Sequence, residues 1–475
     1  MTIFGSIEKN MPTNKYDIII IGGGSAGLGA IGMAQKLGWK PLLIDKEEAH
    51  IGGDCLNFGC VPSKAIIHVA KQFYGAKKAT AYGTVKEGKA DMEKVLAYIH
   101  SKQAVIRAHE NAAYFRKQGV AIEIGTASFV NGNTIAVGDK QFTAPRILLA
   151  TGSKPRMIPF KGLEQVEHYT NETLFYKMKK LPDRLLVIGG GAIGCEMGQT
   201  FQRLGSQVTI VNRGERILKA EREDSSKILA QQFEAEGIQI IKNSSLKEFT
   251  DAHTAIIENK AKEQSTLKFD AVLFAIGRVL NYDDLNLAAG GVKTNERGRL
   301  IINDYLQTTN KNVYVAGDAA GMYKFSHGAE KHIKLLTHNF THLFKKKHAI
   351  NNLSWVTFTD PEVATFGLTE KQLKEQGKNY WRQDQSFHKD DRAIVGEFDY
   401  GKVTLFLSPK RPWSKRKILG GSIIAPNAGE LIQELLLAAN EKVPAKAIYE
   451  KLYAYPVASR INQQTIMGVV RNDEK

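Results

Sequence analysis

Two segments of the chain repeat one pattern, an apolar run followed by a glycine-rich turn and a helix. In the first, YDIIIIGGGSAGLGAIGMAQKLGWKPLLIDK, the apolar run 18–21 leads into Gly22-x-Gly24-x-x-Gly27, and the second apolar run ends at Asp45. The first glycine permits a tight turn, the second lets a pyrophosphate approach the backbone, and the third lets helix pack on strand. The pyrophosphate lies at the positive end of the helix, and Asp45 is placed to accept hydrogen bonds from ribose hydroxyls. This segment predicts a βαβ unit that binds a dinucleotide.

The second segment, RLLVIGGGAIGCEMGQTFQRLGSQVTIVNRGERIL, contains Gly189-x-Gly191-x-x-Gly194 between an apolar run and a helix. A further strand is predicted at 208–211. Two such units in one chain imply two dinucleotides. Together with the cysteine pair described below, they suggest a relay of electrons from a nicotinamide to a flavin and on to sulfur.

The end of this second strand bears on which nicotinamide nucleotide is bound. Asn212 stands where the first unit has its acid, and Arg213 and Lys219 follow. An acid there would accept from a free 2′-hydroxyl and repel a 2′-phosphate, so its replacement and the nearby cations favour NADP over NAD. The nearby Glu215 and Glu221 argue in the other direction, and a solvated Arg213 at the start of a loop is the alternative.

Length and composition indicate a soluble protein of several domains. At 475 residues the chain has room for about three domains of ordinary size. No apolar run approaches the ~20 residues that span a bilayer, and MTIFGSIEKNMPTNKYD at the start has no signal-peptide hydrophobic stretch. Three cysteines do not make a disulfide framework. We therefore expect a cytoplasmic protein without a transmembrane segment.

The net charge of +16 is spread along the chain, with local clusters at 344–348 and 409–417. Neither cluster carries the aromatic pattern or motif of a nucleic-acid site, so no nucleic acid is predicted. We interpret 409–417 as a solvated loop. A docking surface for an acidic partner or for membrane head groups is the alternative.

Two of the three cysteines lie close together in GGDCLNFGCVPSK. Cys55 and Cys60 bracket a short loop, and Pro62 suits the first turn of a helix, so Cys60 is predicted near a helix N-terminus that favours a thiolate. Such a pair can form a redox-active disulfide. A metal site is the rival interpretation, but the further ligands it requires are not visible nearby, and no metal is predicted. Cys195 is expected to be a small buried residue.

These motifs resemble the FAD-dependent pyridine nucleotide–disulfide oxidoreductases, which include dihydrolipoamide dehydrogenase, glutathione reductase and mercuric reductase. Further segments that carry the resemblance are LLATGSKP, FAIGRVLN, VYVAGDAAG and FTDPEVATFGLTE. The resemblance implies an α/β fold with two Rossmann-like dinucleotide-binding domains and an α+β C-terminal dimerisation domain, working as a homodimer. The predicted boundaries are 1–153 and 278–350 for the FAD domain, 154–277 for the NAD(P) domain and 351–475 for the dimerisation domain.

The resemblance also implies roles for individual residues. Cys55 would be the exchange thiol and Cys60 the flavin-proximal thiol, while Lys64 would lie beside flavin N5, paired with Glu196. Asp318 would bind the ribitol chain, and Thr151 and Gly152 would lie near the flavin. The other residues predicted at the two cofactors are Ser25, Ala26, Lys46, Gly53, Ser153, Ala192, Ile193, Gly277, Phe325 and His327.

The chain departs from the family near its C-terminus. Disulfide reductases of the family usually carry His-Pro-x-x-x-Glu there, supplied by the other subunit as an acid–base pair. The matching segment is YAYPVASRINQQ, in which Tyr455 replaces the histidine and Arg460 the glutamate. Tyrosine titrates near ~10 and is a poor proton donor at neutral pH. A second departure is Asp54, where the family commonly has threonine.

The sequence therefore predicts an enzyme that passes electrons from NADPH through FAD to the disulfide Cys55–Cys60 and on to an unidentified acceptor. A metal ion such as copper or mercury, a quinone or a stress oxidant is favoured over a small disulfide, because a metal ion needs thiolates but no leaving-group proton. The alternatives are a true disulfide reductase, a flavin-only transhydrogenase or diaphorase, and a non-enzymatic scaffold protein.

Overall fold

A computed structural model describes residues 16–83, 88–349, 353–410 and 415–474. The N-terminal segment 1–15 and the middle of the basic segment 409–417 lie outside the described residues, so the interpretations that fall on them stay predictions. Contacts divide the chain into two compact units. The first comprises the described parts of Met1–Val61, Ser101–Lys154 and Arg278–His348, and the second those of Pro62–His100, Pro155–Gly277 and Ala349–Lys475. The four domain ranges predicted above, 1–153, 154–277, 278–350 and 351–475, stay a prediction.

The first unit is built on a parallel sheet that contains the first glycine turn. Its five strands run in the order Val313–Val315, Ile147–Leu149, Ile18–Ile21, Pro41–Asp45 and Ala121–Ile124. The central strand consists of four isoleucines, none more than 5% exposed, because such a strand is covered on both faces. The helices Ser25–Lys36 and Ser326–Thr341 pack with it into one apolar core.

The remaining elements of this unit are short or lie at its edges. An antiparallel sheet is formed by Ala127–Asn131, Thr134–Val137 and Lys140–Thr143, and a two-stranded ladder by Ser153–Pro155 and Arg278–Leu280. Short helices cover Glu48–His50, Gly53–Asn57, Ala112–Lys117, Asp283–Leu285 and Gly317–Ala320. Two longer helices, Cys60–Ala79 and Met92–Arg107, begin or end in this unit.

The second unit contains the second glycine turn on its own parallel sheet. The strand order is Gln239–Ile241, Gln207–Val211, Arg184–Ile188, Ala271–Phe274 and His168–Tyr169. An antiparallel sheet of Ser244–Asp251, Thr254–Asn259 and Gln264–Lys268 adjoins it in sequence. Its helices are Thr80–Tyr82, Leu163–Gln165, Asn171–Lys177, Ala192–Leu204 and Glu223–Ala235.

The C-terminal part of the second unit is an antiparallel sheet with helices. Its strands run in the order Ser354–Thr357, Glu362–Gly367, Ile418–Ala425, Lys402–Leu407 and Trp381–Ser386. The helices are Glu370–Glu375, Asp391–Val395, Ala428–Leu431, Gln433–Asn440, Ala445–Glu450 and Arg460–Glu474. Mixed helix and antiparallel strand is the α+β arrangement that the resemblance implies for this region.

Two glycines of the helix Ser25–Lys36 have opposite requirements. A Cβ atom at Gly27 would come within 1.9 Å of the Gly22 carbonyl oxygen, whereas one at Gly32 would meet nothing within 4 Å. The first is a backbone contact that cannot move aside, and the second is an open helical position.

We therefore expect Gly27→Ala and Gly32→Ala to change stability in opposite directions. Gly27→Ala should lower the free energy of unfolding by about 1–3 kcal/mol through overpacking. Gly32→Ala should raise it by about 0.5–1 kcal/mol, because alanine loses less backbone entropy in a helix. Urea unfolding of the FAD-saturated protein measures both, and equal stabilities of the two variants would contradict the steric argument.

Candidate active site

The first glycine turn presents an uncapped helix end beside an acid. Gly22 has φ +106°, and a Cβ there would come within 2.4 Å of the Ala150 carbonyl oxygen. Gly24 is the N-cap of the helix that begins at Ser25 and continues through Ala26, and it has no side chain to accept from the first N–H groups. Those donors suit a phosphate group. Asp45 Oδ2 accepts from Gly23 N at 2.6 Å, so its carboxylate lies at the turn itself.

A second set of polar groups in this unit is buried and incompletely bonded. Among the described residues, Thr151 Oγ1 is buried without a hydrogen-bond partner. Next along the chain, Gly152 adopts φ +69°, and Ser153 Oγ donates to Asp318 Oδ2 at 2.6 Å. Burial raises the pKa of Asp318 above its ordinary value. A buried orphan hydroxyl and a desolvated carboxyl fit a polar ligand such as the ribitol and flavin of FAD.

Arg278 and Asp54 form an ion pair that the sequence analysis missed. Arg278 Nη2 lies 3.1 Å from Asp54 Oδ1 and donates to the Ser153 carbonyl oxygen at 2.6 Å. Its Nε donates to Ser153 Oγ at 2.7 Å. The arginine side chain is only 10% exposed. Asp54, noted only as a departure from the family, is therefore matched by a cation that directly follows Gly277.

The cysteine pair lies at the start of a long helix. Cys60 is the first residue of Cys60–Ala79 and is exposed, whereas Cys55, in Gly53–Asn57, is half-buried. Cys60 Sγ lies 3.4 Å from the Ser326 hydroxyl. The hydrogen bond to Cys60 and burial both raise the pKa of the Cys55 thiol, while Ser326 lowers it. The net effect is a Cys55 thiol whose pKa lies above its ordinary value.

The segment that carries Cys55 is held by backbone contact and by buried polar side chains. Gly53 has φ +63°, and a Cβ there would come within 2.4 Å of Gly24 Cα. Asn57 is 1% exposed, and its amide donates to the carbonyl oxygens of His50 and Gly53. Gly53, a predicted cofactor residue, thus brings the helix Gly53–Asn57, which carries Cys55, against the first glycine turn.

The C-terminal part of the helix Met92–Arg107 forms hydrogen bonds to the same segment. Gln103 Nε2, which is buried, donates to the carbonyl oxygens of Leu56 and Asn57 at 2.8 and 2.9 Å. Arg107 donates to Asn57 Oδ1 at 2.7 Å and to the Ala49 carbonyl oxygen at 2.9 Å. The sequence gives no motif for these residues. Gln103 lies on the apolar face of this helix. A glutamine at an otherwise apolar position is the one signal in the sequence that could have found these contacts.

In the second unit, Lys64 and Glu196 form the ion pair that the resemblance implies. Lys64 Nζ lies 2.8 Å from Glu196 Oε2, and Glu196 Oε1 accepts from Phe358 N at 2.9 Å. The ammonium also lies 4.2 Å from the centre of the Phe358 ring. Glu196 is buried, so the lysine charge and the backbone donor together satisfy its carboxylate. The role of the pair at a flavin stays a prediction.

The second glycine turn repeats the first with a neutral side chain in place of the acid. Gly191 is the N-cap of the helix that begins with Ala192, Ile193 and Gly194, and it offers no side-chain cap. Gly189 has φ +114°. Asn212 Oδ1 accepts from Gly190 N at 3.3 Å, the position that Asp45 holds in the first unit. Cys195 is fully buried, as expected, and burial raises the pKa of its thiol.

Of the charged residues that follow this turn in the sequence, some are exposed to solvent and one is buried and hydrogen-bonded within the protein. Arg213, Glu215 and Lys219 are exposed. Glu221, considered above as a possible counterweight to the cations, is buried and accepts from Trp355 Nε1 and Thr365 Oγ1, each at 2.7 Å. Burial raises its pKa, so it is a structural carboxyl and adds little to the field at the turn.

The remaining predicted residues are distributed over both units. Lys46 is ion-paired with Asp284 at 2.5 Å on the surface, and the Phe325 and His327 rings stack with centres 5.3 Å apart. Tyr455 is 66% exposed and donates to Asp391 Oδ2 at 2.9 Å. That hydrogen bond raises the pKa of Tyr455, which makes it a still weaker acid. The Arg460 guanidinium lies 5.5 Å from the Tyr455 ring centre.

Comparison with known proteins gives the family. Residues 16–338 match the pyridine nucleotide-disulphide oxidoreductase family, and residues 353–465 match the dimerisation domain of the same family. A mercuric reductase of Lysinibacillus sphaericus is 32% identical over 93% of this chain and 80% of its own length. A dihydrolipoyl dehydrogenase of Haemophilus influenzae is 30% identical over 93% of this chain and 92% of its own length.

Among solved structures, a Cu(II) complex of the HOCl-induced flavoprotein disulfide reductase RclA from Escherichia coli superimposes with a TM-score of 0.82. The match covers 96% of this chain and 100% of that chain at 24% sequence identity. At this level of identity it supports the fold.

The chain belongs to the pyridine nucleotide–disulphide oxidoreductase family. The predicted fold class, two Rossmann-like domains followed by a dimerisation domain, is confirmed. The protein is an oxidoreductase that uses FAD and a pyridine nucleotide. Within the segments that the structure describes, no helix combines the length and apolar composition needed to cross a bilayer.

A buried histidine supports the turn that carries Asp318. His332 is fully buried, and its Nδ1 accepts from Gly317 N at 3.1 Å. Its ring lies near those of His348 and Tyr323, with centres 5.3 and 6.0 Å away. Burial, followed by the charges of His348 and Lys331, lowers the pKa of His332 to about 4. The imidazole is therefore neutral at pH 7 and can act as an acceptor.

This arrangement predicts that acid destabilises the protein through His332. The folded-state pKa is below the ordinary histidine value of 6.5, so the unfolded chain binds the proton first and the free energy of unfolding falls as pH drops from 6.5 towards 4. The full shift corresponds to about 3 kcal/mol. His332→Asn keeps an acceptor near Gly317 N but does not titrate, so its unfolding free energy should fall less over this range. His388→Asn, at an exposed histidine, is the control variant. If the unfolding free energies of His332→Asn and wild type changed equally with pH, the assignment would be contradicted.

Proposed function

We propose that the enzyme transfers electrons from NADPH, through FAD, to Cys55 and Cys60, and from these thiols to an acceptor that needs no proton from the C-terminal segment. A soft metal ion such as mercury or copper is the favoured acceptor, ahead of a quinone or an oxidant. The observation that carries this proposal is Tyr455, whose hydroxyl is committed to Asp391 in the place where the family has its histidine.

The chemistry divides between the cofactor and the chain. When bound, FAD would supply the two-electron redox chemistry that links a pyridine nucleotide to the cysteine pair. Cys60, exposed at a helix N-terminus and beside the Ser326 hydroxyl, is suited to hold negative charge. Cys55 is suited to exchange with the acceptor. Thiolates are the ligands that soft metal ions prefer, and their binding releases protons to solvent without a leaving group.

The comparison with relatives supports a metal acceptor but leaves a second candidate. Relatives about a third identical are named mercuric reductases, and others at 30% identity are dihydrolipoyl dehydrogenases. A true disulfide reductase is therefore the second candidate, and it needs a proton source other than Tyr455. A flavin-only diaphorase would leave the ordered cysteine pair without a role.

The acceptor is tested by anaerobic NADPH oxidation in the presence of Hg(II), Cu(II), a quinone, lipoamide or glutathione disulfide. We expect at least one metal ion to turn over about 10-fold faster than either disulfide. Loss of a general acid costs roughly 10²–10⁴-fold in rate, which is why the disulfides should be slow. Cys55→Ser should abolish metal turnover while FAD stays bound, and Cys195→Ala serves as the control for the third thiol. Fast lipoamide turnover that is lost in Cys55→Ser would establish the disulfide reductase instead.

We propose NADPH as the electron donor. The support comes from the exposed Arg213 and Lys219, from the neutral Asn212 in the acid's place and from the engagement of Glu221 with Trp355. These cations favour a 2′-phosphate, and the exposed Glu215 is the nearby charge in the sequence that opposes it.

Arg213→Gln should raise KM for NADPH by about 10-fold, the equivalent of one charge-assisted hydrogen bond, and leave KM for NADH nearly unchanged. Asn212→Asp should shift the preference towards NADH, because it restores a carboxylate beside the ribose. Steady-state kinetics with both nucleotides measures this. An unchanged ratio of the two kcat/KM values in Arg213→Gln would refute the assignment.

We propose that the protein acts as a homodimer in the cytoplasm. The match of 353–465 to a dimerisation domain supports the dimer. The chain has three cysteines, too few for a disulfide framework, which suits a reducing compartment.

A further inference from the structure

Four polar side chains form a cluster beside the turn Gly317–Ala320, and the proposed electron transfer uses none of them. We propose that this polar cluster, Tyr323, Lys331, His332 and His348, binds a small monovalent anion such as chloride. The proposal goes beyond the proposed function, because it does not depend on the electron acceptor or on the nucleotide.

Three rings of the polar cluster contact one another. The ring centres of His332 and His348 are 5.3 Å apart, those of Tyr323 and His348 are 5.6 Å apart, and those of Tyr323 and His332 are 6.0 Å apart. All three residues belong to the first unit. The rings therefore meet in one place, and a ligand that reaches their polar atoms has to be small.

The helix Ser326–Thr341 places two of the four side chains on one face. Gly328, Lys331 and His332 are spaced by three and four positions, so they share one side of the helix. Tyr323 packs against this side, since a Cβ on Gly328 would come within 3.2 Å of Tyr323 Cβ. Lys331 therefore extends from the face of the helix that carries His332 and contacts Tyr323.

His348 is brought back to this helix by hydrogen bonds of the segment that follows the helix. Asn339, which is buried, donates to the Lys346 carbonyl oxygen at 3.0 Å and accepts from Lys346 N at 2.8 Å. His348 N donates to the Asp304 carbonyl oxygen at 2.7 Å. The position of the second histidine is therefore set by the backbone of the first unit.

The polar cluster contains four buried atoms to which no group of the described residues forms a hydrogen bond. They are Tyr323 Oη, Lys331 Nζ, His332 Nε2 and His348 Nε2. His332 as a whole is 0% exposed. Buried polar atoms in folded proteins are nearly always hydrogen-bonded, and leaving one unbonded is costly. Four such atoms in one cluster indicate a ligand that they bind together.

The donors of the polar cluster determine the charge of this ligand. His332 Nδ1 accepts from Gly317 N at 3.1 Å, so the proton of the neutral ring is on Nε2, which can only donate. The Lys331 ammonium can also only donate. Burial raises the pKa of Tyr323 to about 12, so its hydroxyl keeps a proton to donate. A metal ion would need the lone pair that His332 Nε2 lacks, whereas an anion accepts from all these groups.

The charges around the polar cluster also favour an anion. Lys331 forms no ion pair in the part of the chain that the structure describes, and burial lowers the pKa of its ammonium. Burial and the charge of Lys331 lower the pKa of His348, and the charge of Asp304 opposes them. Asp304 is itself ion-paired with Lys347 at 3.2 Å. A buried cation without a counterion is strongly disfavoured, so an anion beside Lys331 offsets the cost of its burial.

Anion binding would act on the turn Gly317–Ala320 through His332. An anion that accepts from Nε2 makes Nδ1 a stronger acceptor for Gly317 N, because hydrogen bonds in a chain polarise one another. We therefore expect an occupied site to stabilise the folded protein, with an effect that saturates as the site fills.

The first test is thermal unfolding of the FAD-saturated protein in sodium chloride and in sodium gluconate at equal ionic strength. Chloride should raise the unfolding temperature along a saturable curve that gives an apparent dissociation constant, whereas gluconate is too large for the site. Lys331→Met should raise this constant by about 10-fold and Tyr323→Phe by about 5-fold, because each loses a donor and keeps most of its packing.

Lys334→Met is the matched control, because Lys334 lies on the same helix with its side chain 75% exposed. Its chloride curve should match that of the wild type. An equal chloride effect in Lys331→Met and wild type, or a rise without saturation, would mean a general effect of salt and would overturn the site. If Lys331→Met does not fold, the curve of Tyr323→Phe decides, since loss of one hydroxyl leaves the ring contacts in place.

The location of the anion is tested by diffraction. Crystals of the FAD-bound protein grown without chloride and transferred to bromide should show one anomalous peak in contact with His332 Nε2, and Lys331→Met crystals should show this peak at lower occupancy. A water in that place without an anomalous signal would refute the anion in favour of a neutral ligand. A peak that appears only at molar bromide would identify an adventitious ion only and would equally overturn the proposal.

Discussion

The close approach of Gly53 to Gly24 is the contact on which the geometry of the first unit depends. Gly53 has no room for a side chain, since a Cβ there would lie 2.4 Å from Gly24 Cα, whereas a Cβ on Gly24 would make an ordinary contact of 3.6 Å with Gly53 Cα. The first glycine turn and the helix Gly53–Asn57, which carries Cys55, therefore pack against each other backbone to backbone. The hydrogen bonds of Asn57 and Gln103 to the backbone around Cys55 then stabilise the position that this glycine contact sets.

The two glycine turns share one backbone arrangement and differ in a single side-chain group, a carboxylate in the first and an amide in the second. In each, a side-chain oxygen at the end of the second strand accepts from the backbone N–H of the residue after the first motif glycine: Asp45 Oδ2 accepts from Gly23 N and Asn212 Oδ1 from Gly190 N. The hydrogen bond is preserved, and only the charge differs. Because aspartate and asparagine have nearly the same shape, the backbone of the second turn needs no rearrangement to lose the negative charge.

Much of this fold is predictable from local pattern, and the reasons are physical. The run of isoleucines at 18–21 is a strand with the predicted bounds, because a buried parallel strand is apolar at every position. The helix that begins at Cys60 follows from Pro62 and the amphipathic stretch behind it. The ion pair of Lys64 with Glu196 joins residues 132 positions apart, and it was reached only through the family resemblance.

What the sequence did not reveal involves partners that are distant in the chain and carry no motif. Arg278 meets Asp54 across 224 positions, and Glu221 turns towards Trp355 in place of the nucleotide turn. Charge and spacing alone cannot say which of several nearby carboxylates is buried.

Asn57 has a consequence for how the segment that carries Cys55 opens. Its buried side chain is bonded at once to the backbone of its own helix and to Arg107 of another helix. Local opening of the cysteine segment must therefore break the docking of the helix Met92–Arg107 as well. The two elements form one cooperative unit of opening, so backbone amides in both should exchange with solvent deuterium together.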